Sequence, residues 1–140
     1  QLIKTFLDNY SGQIYLAEYS PEGRLKERIL QGWGLHYNSR KVKIIKMMYR
    51  SMHNFSDLAL IDKCHNGYKL HGQNFCIGLG TIAVGVNGNE PRLSASQLKK
   101  DLQLVKDSGV KESIIFRLGG LNQEYVKVIS KLISQPKSNA

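Results

Sequence analysis

The stretch FCIGLGTIAVGV at residues 75–86 constrains this fold more than any other part of the sequence. It carries no charge and shows neither a helical nor an alternating polar face. A run of that kind has to be covered on both sides, as a central strand of a parallel sheet is. Its 12 residues fall well short of the roughly 20 that span a bilayer as a helix, so no membrane segment is expected.

The surrounding sequence alternates strand and helix signals. Leu2, Ile3, Phe6 and Leu7 make a helical stripe, and QIYLAEY (13–19) has strand composition before the turn Ser20-Pro21-Glu22-Gly23. Leu25, Ile29 and Leu30 share one side of a helix over 24–31 that Gly32-Trp33-Gly34 breaks. KVKIIKMMYRSM (41–52) reads as a buried strand whose Met-rich centre also tolerates a helix. Ser56 can cap a helix carrying Leu58, Leu60, Ile61 and Cys64, closed by Asn66-Gly67. Ser94-x-x-Gln97 is a capping box opening a helix with Leu98, Leu102 and Val105 inward, ended by Ser108-Gly109. ESIIFRLGGL (112–121) is a further strand. Asn122 can cap a last helix with Tyr125, Val128, Ile129, Leu132 and Ile133 facing inward, before a frayed tail at 135–140.

Strands at 13–19, 42–50, 76–86 and 113–118 separated by amphipathic helices define an α/β fold, a mostly parallel sheet of about four βα units. No linker or repeat divides residues 1–140, so a single domain is expected. A closed (β/α)8 barrel needs eight strands; four units therefore predict either part of such a barrel or a compact open, flavodoxin-like sheet. Part of a barrel leaves two strand edges unpaired, which predicts a homo-oligomer or a missing chain segment. The chain starts at Gln1, as a processed chain or a fragment would.

Cys64 and Cys76 do not repeat a metal-finger spacing, even with His65 and His71 between them. Two reduced, buried thiols are expected, with no metal and no cofactor, and a cytoplasmic setting is favoured. The glycines Gly78, Gly80, Gly85 and Gly88 do not spell a dinucleotide fingerprint and are expected to allow close helix packing or a bulge.

The net charge is +9, from 20 basic and 11 acidic residues. Residues 24–50 hold eight basic side chains against Glu27 alone, with Trp33, Tyr37 and Tyr49 among them, a pattern suited to a polyanion. Residues 103–120 partly mimic a helix-turn-helix about Gly109. A basic nucleic-acid-binding module is therefore one of two functional readings.

The other reading starts from the strand ends, where parallel α/β folds bind ligands. The first strand delivers Glu18 there, the second Tyr49 and Arg50, the third Asn89, Glu90 and Arg92, the fourth Arg117 and then Glu124. Such a set suits a polyhydroxylated or anionic small molecule. GLGTIAVGVNGNEP followed by a helix and GVKESIIFRLGGL resembles the later strands of a (β/α)8 barrel. Asn89-Glu90-Pro91 is similar to the Asn-Glu-Pro at a strand end of retaining glycoside hydrolases. The resemblance implies that Glu90 is the acid/base, that Asn89 contacts a sugar hydroxyl, and that the protein is a glycosidase-like hydrolase or a sugar-binding relative. The family carries its second carboxylate several units downstream. Only about one unit follows Glu90 here, so the partner carboxylate would be Glu18 or Glu124.

Overall fold

The computed structural model describes residues 2–19, 24–33, 41–81, 88 and 91–134. Among the described residues five α-helices alternate with four strands: α1 (Leu2–Asn9), β1 (Ile14–Tyr19), α2 (Arg24–Gly32), β2 (Val42–Met48), α3 (Asp57–His71), β3 (Phe75–Gly80), α4 (Ala95–Asp107), β4 (Ser113–Phe116) and α5 (Gln123–Ser134). The strands form one sheet in the order β1-β2-β3-β4, and every neighbouring pair is parallel. The order contains no reversal of the kind that defines a doubly wound sheet.

The register divides the side chains between two faces. Ile14, Leu16 and Glu18 lie level with Val42, Ile44 and Lys46, and Ile44, Lys46 and Met48 lie level with Phe75, Ile77 and Leu79. On this face Leu7 of α1 packs with Val42 and Ile44. Leu60 and Cys64 of α3, Leu98 and Val105 of α4, and Tyr125 of α5 pack with Met48, Phe75, Ile77 and Leu79. The helices seen in the two core clusters thus share one face. β3 is buried along its whole length, as the apolar run demands.

The opposite face curls inward. Tyr15 on β1 donates a hydrogen bond to Glu112 just before β4, at 2.6 Å, although three strand spacings, about 14 Å, separate those chains. At the other end the rings of Tyr49 and Phe116 lie 5.7 Å apart with β3 between them. Convergent side chains need room at the middle of such a face. A Cβ on Gly78 would lie 3.1 Å from Ile45, and one on Gly80 would lie 3.1 Å from the Tyr49 ring. The expected close helix packing is therefore not what Gly78 and Gly80 serve; that part falls to Gly67, where a Cβ would meet the Phe75 ring at 2.1 Å.

Local signals set most of the boundaries. Ser56 Oγ accepts from Ala59 N and Ser94 Oγ from Gln97 N, at 3.2 and 3.1 Å. Asn122 Oδ1 accepts from Tyr125 N at 2.9 Å. Gly109 follows α4 with φ 79°, a conformation that favours glycine. Three expectations are corrected. Asn66-Gly67 does not end α3, which runs to His71 and is capped by Gly72 at φ 57°, because Gly67 is needed against Phe75. Ile133, expected to face inward, points outward at 78% exposure. The third strand ends at Gly80, with Thr81 already outside it, and the rest of the expected strand, 82–86, lies outside the described residues.

Candidate functional site

All four strands point the same way, so their carboxyl ends share one rim. On the curled face this rim is floored by Tyr49 and Phe116. Tyr49 is half-buried, and the loss of water pushes its phenol up to about 12, so it stays a protonated donor at neutral pH. Thr81, fully buried after β3, closes the rim on β4 by donating its N–H to Phe116 O at 2.6 Å. A Cβ on Gly120 would lie 3.0 Å from Thr81 O, so the diglycine turn beyond β4 packs directly on Thr81. Ser51, just past β2, is buried with its Oγ unpartnered among the described residues. Arg117 is exposed after β4, Arg92 is exposed before α4, and Glu124 is exposed in the first turn of α5.

Asn89 and Glu90 lie outside the described residues. Their connection leaves β3 at this rim and returns at Pro91 to start α4.

Two other proposed site residues are held on the helix-covered face. Glu18 and Lys46, both buried, form an ion pair at 2.6 Å. Arg50 spends its guanidinium on the packing beside it. Its Nε donates to both Asp101 carboxylate oxygens at 3.1 Å, Nη2 reaches Asp57 at 3.0 Å, and Nη1 donates to Phe55 O. It also lies over the Phe55 ring, 4.6 Å from its centre. Glu18 and Arg50 thus belong to two separate ion-pair groups, because residues 46 and 50 take different neighbours on the same face. Asp57 is held below the ordinary carboxylate value by its hydrogen bond from Lys100 and by Arg50.

The amino end of the curled face holds a cluster that sequence reading missed. Lys43 pairs with Glu112 and lies over the Tyr15 ring. Hydrogen bonds from Lys43 and Tyr15 hold the Glu112 carboxyl below its usual value, and the bond to Glu112 raises Lys43. The available signal was Lys43 itself, the one charge beside Ile45 and Met47 on the second face of β2. Conserved chemistry in parallel folds sits at the carboxyl rim, and the amino end serves stability, which is how this cluster reads.

Four of the eight basic side chains at 24–50 are neutralised within the fold. Lys41 pairs with Asp8, Lys43 with Glu112, Lys46 with Glu18, and Arg50 with Asp101 and Asp57. Lys26 and Arg28 are exposed on α2, and Arg40 lies outside the described residues. Residues 103–120 form the end of α4, a turn, strand β4 and a short 3₁₀ turn, so the segment after Gly109 is the expected strand and not the recognition helix that the helix-turn-helix alternative requires.

Both thiols are buried and unlinked. Burial pushes Cys64 up to about 12 and Cys76 to about 11, which makes them poor nucleophiles. Among the described residues no cluster of His, Cys, Asp and Glu could hold a metal ion, and no helix is long and apolar enough to cross a membrane.

No family model matches the chain, and searches of curated proteins and of solved structures return no significant match.

Proposed function

We propose that the chain binds a carbohydrate-like, polyhydroxylated ligand at the carboxyl rim and acts on it as a glycosidase-like hydrolase or serves as its sugar-binding relative. The observation that carries this reading is the Tyr49–Phe116 aromatic floor at the carboxyl end of the curled face. Aromatic rings suit the apolar faces of sugar rings, and the Tyr49 hydroxyl and the exposed Arg117 can supply hydrogen bonds at this rim. The connection carrying Asn89 and Glu90 departs from the same rim.

In this reading Glu90 is the proton donor and Asn89 a hydroxyl contact. Glu124 is the better placed second carboxylate, being exposed just past β4. Glu18 lies on the opposite face of the sheet in a buried ion pair. A retaining reaction requires the two carboxyls about 5 Å apart and an inverting one about 6.5–9.5 Å.

The test is a panel of chromogenic glycosides beside calorimetric titration with oligosaccharides. Glu90→Gln keeps the side-chain shape and loses the proton, so turnover should fall about 10²–10⁴-fold with an unchanged melting temperature. Tyr49→Ala should weaken binding in either version. A Glu90→Gln variant that is destabilised but fully active would overturn the acid assignment. Neither turnover nor binding across the panel would overturn the sugar reading.

A further inference from the structure

We infer that α2 lies flat on an anionic lipid surface, with Leu25, Ile29 and Trp33 entering the headgroup boundary and Lys26 and Arg28 meeting the lipid phosphates and carboxylates. The inference is independent of the ligand proposed for the rim.

Every other helix contributes at least one buried side chain to the core: Leu7 from α1, Leu60 and Cys64 from α3, Leu98 and Val105 from α4, and Tyr125 from α5. Among the described residues α2 contributes none. Its apolar side chains stand in water instead, Leu25 at 73% exposure, Ile29 at 45% and Trp33, the residue that follows the helix, at 74%. They recur every four residues and so form one stripe along the helix. The Trp33 N–H donates to Ile29 O at 3.0 Å, which keeps the helical path through the indole.

The charge around the stripe decides what can cover it. The helix carries Arg24, Lys26 and Arg28 against Glu27 alone. With about 3.6 residues per turn, positions 26 and 28 fall on opposite flanks of the line through 25, 29 and 33, and position 27 falls on the far side of the helix. Lys26 and Arg28 are both exposed, and neither has an ion-pair partner among the described residues. A protein layer closing over the stripe would strip water from both flanking cations and would have to bring an acidic partner to each. An anionic bilayer meets both needs at once. Its hydrocarbon boundary takes the apolar stripe, and its headgroups lie at the level to which Lys and Arg side chains extend on either side. Tryptophan favours that boundary, because its ring is apolar and its indole N–H is polar. The net charge of +9 draws the whole chain the same way. At 9 residues, far below the roughly 20 of a span, α2 rests on the surface and does not cross it.

Trp33 is the only tryptophan in the chain, so its emission reads this contact directly. Vesicles of phosphatidylcholine mixed with phosphatidylserine should shift the emission of the full chain to the blue, and brominated lipid in the same vesicles should quench it. Lys26→Gln combined with Arg28→Gln should weaken binding to the mixed vesicles about 30-fold and remove the preference over phosphatidylcholine alone. Ile29→Gln should weaken it about 10-fold or more. Both variants alter side chains already in water, so the far-UV spectrum should not change. Emission indifferent to the mixed vesicles overturns the proposal, as does binding that survives both variants. Emission that is already blue in buffer at every dilution assigns the stripe to a cover within the chain, and a blue emission that dilution reverses assigns it to a second copy; either overturns the proposal. Quenching by single-stranded DNA with no response to vesicles overturns it in favour of a nucleic acid.

Discussion

Glu112 joins three strands through two side-chain contacts, and its charge state sets how well it does so. Its carboxyl is held below the ordinary 4.5 by Lys43 first and Tyr15 second. A depressed carboxyl contributes stability that is present above the unfolded value and disappears as pH falls through the folded one. Lys43 is raised above 10.5 by the same contact, so its share is present below that value and is lost as pH rises through the higher folded one. Between those limits the pair is intact. Glu112→Gln should therefore melt below the wild type at pH 7, and the gap should close as both are acidified below about pH 4. Parallel melting curves down to pH 3 would show that the contact contributes nothing.

The helices owe their boundaries to short-range chemistry, and this makes them separable from the sheet by mutation. Ser94 Oγ satisfies the Gln97 N–H at the start of α4, one of the donors that a helix start leaves without a partner. Ser94→Ala should cost about 1 kcal/mol, read from denaturant midpoints, and Ser94→Asp should recover it. Equal losses in both variants would mean that the neighbouring Ser96 contact and not the cap is responsible. Gly67 in α3 behaves oppositely. A helix would gain from alanine there on propensity alone, but the added methyl meets the Phe75 ring. Gly67→Ala should thus destabilise by about 1–3 kcal/mol through overpacking, and a stabilised variant would contradict the close helix–sheet contact.

Across the whole molecule Arg50 holds the layers together. From the end of β2 it reaches Asp101 on α4, Asp57 at the start of α3 and the carbonyl of Phe55 between them. Asp101 is 1% exposed, so removing its partner leaves a buried charge. Arg50→Met should cost about 3–5 kcal/mol. Arg50→Lys should recover only part of that loss, because an ammonium cannot engage two carboxylates and a carbonyl in one plane. Full recovery with lysine, measured by chemical unfolding, would show that charge alone matters there.

Periodicity and capping residues made the order of elements legible, since both act within a few residues of chain. The apolar run at 75–80 announced a central strand, and Ser56, Ser94 and Asn122 announced helix starts. The same local logic misjudged Gly67, because a glycine that ends a helix and one that admits a ring from a neighbouring strand look alike in sequence. It also placed Glu18, Tyr49 and Arg50 together at the strand ends. Only the register could separate them: positions 18, 46 and 50 turn to the helices, whereas 49 turns to the curled face with Phe116. The sequence by itself determined that the chain would form alternating parallel βα units, because hydrophobic period and turn chemistry are short-range properties. Which charges neutralise each other, which face curls, and which apolar side chains remain in water were decided by the tertiary structure. Those outcomes depend on contacts between residues as distant as Tyr15 and Glu112, whose pairing no local pattern encodes.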